Sequence, residues 1–92
     1  MLEKEIEKQL VRQVQSLDGW CLKLTSPSMI GVPDRLILLP EGRVAFVEVK
    51  RPGQKPRPIQ VRRIKQLREL GFKVYVLDDS NEISRIIEEV MH

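Results

Sequence analysis

GVPDRLILLPEGRVAFVEVK, running from Gly31 to Lys50, contains two apolar, β-branched-rich runs joined by Pro40-Glu41-Gly42. That combination is a strong hairpin signal. A strand buried on both faces should read as an almost unbroken apolar run, yet Asp34, Glu48 and Lys50 interrupt these two. Side chains alternate along a strand, so Ala45, Val47 and Val49 share one face while Phe46, Glu48 and Lys50 share the other. Asp34 joins the Glu48 face if residue 34 pairs with residue 48. That register centres the turn on Glu41 and requires an odd-length loop or a bulge. Asp34 and Glu48 are then neighbours, with Lys50 one pleat beyond. Two adjacent carboxylates repel unless positive charge lies between them, and a hard divalent cation prefers such oxygen ligands.

Elsewhere the elements are ordinary. Leu2, Ile6, Leu10, Val14 and Leu17 have helical spacing, and Asp18-Gly19 predicts the end of that helix, with Gly19 in the left-handed conformation. Trp20 to Thr25 reads as a short strand and residues 26–33 as loop. Pro58 suits the first turn of a second helix running to about Leu70 and closed by Gly71. Phe72 to Leu77 reads as a strand. Asp79 or Ser80 can cap a last helix with the stripe Ile83, Ile86, Ile87 and Val90. The order αβββαβα predicts an α/β fold, a mixed sheet flanked by helices. Its third and fourth strands should be parallel across the second helix.

Both long helices carry polar residues on the stripe that should be buried. On the first, Glu3 and Glu7 fall among the apolar positions, whereas Lys4, Glu5, Lys8 and Arg12 lie opposite. On the second, Gln60 falls among Val61, Ile64, Leu67 and Leu70, and a buried amide needs partners. Each has a bland alternative: a Glu7–Lys50 salt bridge, Asp34 capping a turn after Pro33, Gln60 at an edge. Together they place four polar groups from four elements at one end of a small sheet, which favours a site.

Composition bounds what such a site can be. The 92 residues, 41% hydrophobic and 32% charged, fit one globular domain, residues 1–92, with a thin core that oligomerisation could supplement. No apolar run approaches a membrane span and no signal-peptide core is expected, so the expected location is cytoplasmic. The lone Cys21 excludes an internal disulfide and reads as a small apolar residue. The single histidine, His92, excludes histidine metal sites and Ser/His or Cys/His triads. Net charge is +3, but the window from Val49 to Arg68 carries +8 without one acidic residue, leaving −5 for the rest. So concentrated a block is either a solvated face or a phosphate-backbone contact surface. Trp20 and Tyr75 are expected in the core.

GVPD, thirteen residues and then Glu48-Val49-Lys50 resembles the PD-(D/E)xK signature of a large nuclease superfamily. With an acidic first helix and the following KPRPIQ, the chain resembles the VRR-NUC family from Glu3 to about Leu77. The resemblance implies a restriction-endonuclease-like αβββαβ core, here with an extra C-terminal helix. It implies that Asp34 and Glu48 are metal ligands, joined by Glu7 directly or through water and by the Val49 carbonyl. Lys50 would position the attacking water or stabilise the phosphate charge, and Gln60 would support the lysine or the phosphate. Whether Glu3 or Glu7 is the helix acid stays open, with Glu7 preferred as the deeper. The implied cofactor is Mg²⁺, with Mn²⁺ able to substitute, and Arg51, Lys55, Arg57, Arg62 and Arg63 would hold DNA phosphates. Minimal standalone domains of this kind are typical of bacteriophages. By analogy the expected activity is a structure-selective endonuclease resolving four-way (Holliday) junctions as a homodimer. A nicking or flap nuclease, or a non-catalytic DNA-binding module, is the alternative.

Overall fold

A computed structural model describes residues 1–92. Its elements are α1 (Glu3–Ser16), β1 (Trp20–Lys23), β2 (Arg35–Leu39), β3 (Arg43–Val49), α2 (Pro58–Glu69), β4 (Lys73–Leu77) and α3 (Ile83–Met91). The sheet order is β1-β2-β3-β4. The first three strands form an antiparallel meander, and β4 lies parallel to β3 after the α2 crossover. No helix is long and apolar enough to cross a membrane.

The hairpin register is the one centred on Glu41. Leu39 pairs with Arg43 and Arg35 with Val47, so Asp34, just before β2, extends the ladder toward Glu48. The odd loop is a tight turn, Pro40–Gly42, in which Glu41 and Gly42 both take positive φ (68° and 72°). Glycine adopts that conformation freely, and the exposed Glu41 carboxylate pairs with Arg43.

Alternation gives the sheet two unlike faces. Ile37, Leu39, Ala45, Val47, Val49 and Leu77 point to one side and pack against Ile6, Leu10 and Val14 of α1 and all four apolar stripe residues of α3. Trp20, Leu22, Leu36, Leu38, Val44, Phe46 and Glu48 point to the other, where α2 lies over β4. There Phe46 meets Phe72 edge-on, ring centroids 5.6 Å apart.

Three sequence expectations are corrected. The left-handed residue ending α1 is Asp18 (φ 62°), not Gly19. Gly19 is required for a different reason, since a Cβ there would sit 2.7 Å from Leu39 and 2.8 Å from the Leu38 carbonyl oxygen. The buried face of α2 is Gln60 and Ile64, while Val61 is 53% and Leu70 74% exposed. Trp20, expected in the core, is 65% exposed because no helix covers the outer face of β1. Tyr75 does pack against the core.

Candidate metal and nucleic-acid site

The loop before β2 is shaped by Gly31-Val32-Pro33. Gly31 has φ +82°, and a Cβ there would lie 2.8 Å from Ile59 and 3.0 Å from its carbonyl oxygen. Only glycine lets this loop press against the first turn of α2. Pro33 is fully buried, and Arg63 Nε donates to the Ile30 carbonyl at 2.8 Å. These contacts bring Asp34, Glu48 and the start of α2 together.

Glu48 is the most buried of the charged groups, at 3% exposure. Its Oε2 accepts from Gln60 Nε2 at 2.9 Å and pairs with Lys50 Nζ at 3.1 Å. Its Oε1 is buried with no hydrogen-bond partner at all. A buried carboxylate oxygen left without a partner costs on the order of 1–3 kcal/mol, more for a charged group, so something must compensate it. Gln60 uses both ends of its amide, because Oε1 also accepts the Arg57 backbone N–H at 2.8 Å and so caps α2. Lys50 is anchored through its own N–H, which donates to the Leu77 carbonyl at 2.8 Å.

Asp34 Oδ1 accepts the Val49 N–H at 3.1 Å. Burial first, and then the Glu48 carboxylate, push the Asp34 pKa up to about 6; Glu7 and Glu3 add to the rise and the Val49 bond opposes it. Burial and a neighbouring acid both disfavour the charged form of Asp34, so positive charge placed between the two carboxylates would lower the cost of ionising both.

Asp34, Glu48, Lys50 and Gln60 therefore meet, while Glu7 is turned aside. Its Oε2 accepts from Arg35 Nε at 2.8 Å, in a part-buried ion pair, so the expected alternative partner, Lys50, is not the one it takes. Glu3 is exposed. No three carboxylates converge as a ready cation cage. Arg35 was not singled out from sequence; its only signal was a cation inside an apolar run. Among the expected phosphate contacts, Arg51, Lys55, Arg57 and Arg62 are exposed, but Arg63 is occupied by Ile30 and Gln66.

The family model of the VRR-NUC domain matches residues 2–80. The chain belongs to the VRR-NUC family. A protein of Acyrthosiphon pisum secondary endosymbiont phage 1, described as "Putative nuclease p44", is 48% identical over 88 residues, 96% of this chain and 94% of its own length. A solved structure described as a VRR_NUC domain is similar with a TM-score of 0.88 at 33% identity, covering 94% of both chains. The family and the mixed α/β sheet flanked by helices agree with what the sequence implies, and this is a nuclease domain of the VRR-NUC type.

Proposed function

We propose that this VRR-NUC domain is a metal-dependent DNA endonuclease that hydrolyses phosphodiester bonds, acting on branched DNA such as a four-way junction as a homodimer. The observation that carries the metal is the unpartnered, buried Glu48 Oε1 beside an Asp34 whose pKa is driven up to about 6. Two adjacent carboxylates, each with an oxygen free of hydrogen bonds, suit a hard dication such as Mg²⁺ or Mn²⁺, which would relieve their repulsion. The Val49 carbonyl would add a third oxygen and Glu7 would reach the ion through water. Once bound, the metal supplies a more acidic water and positive charge against the phosphate.

The chain's own residues do the rest. Gln60 holds Glu48 in one rotamer. Lys50 stands beside Glu48, where it can meet negative charge building on the phosphate or fix the attacking water. Arg51, Lys55, Arg57 and Arg62 hold backbone phosphates, giving salt-sensitive binding with little base readout.

Support for a second copy comes from the outer sheet face. On it Trp20, Leu22 and Phe72 are exposed and Leu36, Leu38, Val44 and Phe46 only half-buried, an apolar patch of the kind that marks a protein–protein interface. Leu38 lies four residues from Asp34, about 13 Å along the strand, so pairing there leaves the sites open. Two-fold pairing would present two sites to two strands.

The test incubates the protein and Glu48→Gln with labelled four-way junction, flap, linear duplex and single-stranded DNA, in Mg²⁺ or EDTA. Paired symmetric nicks in the junction, lost in EDTA and in Glu48→Gln, are expected. Equal cutting of flap and junction would redirect the reading to a nicking nuclease. Binding without cutting in Mg²⁺ and Mn²⁺ alike would leave a DNA-binding module.

A further inference from the structure

A second concentration of positive charge lies on α1, away from the α2 block. Lys4, Lys8 and Arg12 recur every four residues, which sets them about 6 Å apart along one edge of the helix. All three are exposed. None takes part in the ion pairs of the chain, which join Glu7–Arg35, Glu41–Arg43, Glu48–Lys50, Glu82 and Glu89 with Arg85, and Glu88–His92. No ion pair joins the acids of the same helix, Glu3, Glu5 and Glu7, to the row: Glu7 is held by Arg35 and Glu5 accepts the Leu2 N–H at 3.4 Å. With Glu7, Val11 and Arg35 the three cations line a groove of about 440 Å³.

Helix stability does not account for this row. Lys4 sits in the first turn, where the helix dipole disfavours a cation. Lys4–Lys8 and Lys8–Arg12 are like-charge pairs at i,i+4, each of which weakens a helix. A polyanion laid along the row reverses both effects.

Position gives the polyanion its identity. The groove adjoins the candidate site, because Arg35, which lines it and holds Glu7 at 2.8 Å, directly follows Asp34 in the chain. The α2 block reaches the same site from the opposite side of the sheet, through Gln60. We infer that Lys4, Lys8 and Arg12 bind the phosphate backbone of a second nucleic-acid segment, on the far side of the scissile phosphate from the segment held by α2. This rests on the nuclease reading and adds to it the path of a second arm.

The experiment measures binding of four-way junction and of a short linear duplex, in Ca²⁺, across a salt series. It compares the parent, the triple variant Lys4→Gln/Lys8→Gln/Arg12→Gln and the α2 variant Arg57→Gln/Arg62→Gln. The α1 variant should bind the junction at least tenfold more weakly, with the slope of log affinity against log salt shallower by about 2–3. The short duplex should lose less than threefold, and the thermal midpoint should hold or rise as like-charge repulsion is removed. Unchanged junction affinity and slope, alongside a weakened α2 variant, would reduce the α1 row to a solvated face while sparing the nuclease reading. Equal losses on both DNAs would put both surfaces on one segment and sink the second-arm assignment. A lowered midpoint would mark the row as structural. A parent that binds no DNA would remove the nuclease reading and this inference together.

Discussion

Along β3, Ala45, Val47 and Val49 enter the layer beneath α1 and α3, whereas Val44, Phe46 and Glu48 enter the layer on the α2 side. Adjacent residues of one strand thus live in two different solvents. The inner face is apolar and closed, with Ile37 and Val47 fully buried. The outer face is divided: a polar knot of Asp34, Glu48, Lys50 and Gln60 at one end and a half-open apolar surface at the other. The inner face carries the stability of the domain, and the outer face spends some of it on adjacent charges.

Glu48→Gln should sharpen that contrast most. It removes one metal-ligand charge and should cost at least about 10³-fold in cleavage rate, several kcal/mol of transition-state stabilisation, with little loss of thermal midpoint. A midpoint that collapsed with activity would make Glu48 a structural residue. Next, Ile37→Ala on the inner face should cost about 2–5 kcal/mol in urea unfolding, and its outer-face neighbour Leu38→Ala under about 1 kcal/mol at dilute protein. Equal costs would erase the distinction between the faces.

Asp34→Asn has a smaller effect with an informative sign. The folded-state pKa of about 6 lies above the ordinary 3.8, so below about pH 4 the carboxyl is neutral in folded and unfolded chains alike. As pH rises through 6 the folded chain must ionise a partly buried acid beside Glu48, and metal-free stability falls. Metal-free Asp34→Asn should therefore be more stable than the parent by about 1–2 kcal/mol at pH 8, given the partial exposure of the site, and equal to it near pH 4. Urea curves at both pH values check this, and a deficit at pH 8 would refute it. Saturating Mg²⁺ should narrow the gap at pH 8. The smallest change in monomer stability, within about 0.5 kcal/mol, belongs to Trp20→Ser. Sedimentation should nonetheless show a shift toward monomer; an unaltered mass would remove the outer face as the interface.

Much of this contrast was legible in the residue order. The turn Pro40-Glu41-Gly42 allowed the register centred on Glu41, which the strand pairing adopts, and the alternation in β3 separates Val47 from Glu48 in the residue order itself. What alternation cannot tell is which face a helix will cover, so Trp20 looked like core and lies in the open. In α2 the apolar count favoured a stripe through Val61 and Leu70. The helix instead rotates to the face where Gln60 satisfies Glu48, because a buried carboxylate without a donor is costlier than an exposed valine. Arg35 escaped notice because its partner Glu7 is 28 residues away, a distance no periodicity reports.

Gln60 joins two things usually kept separate. One end of its amide starts the second helix and the other steadies the acid proposed to hold the metal. A chain whose second helix has frayed would therefore also lose its grip on the ion. Cutting competence would then rise and fall with local folding, and damaged or half-made copies would be disarmed without any separate inhibitor.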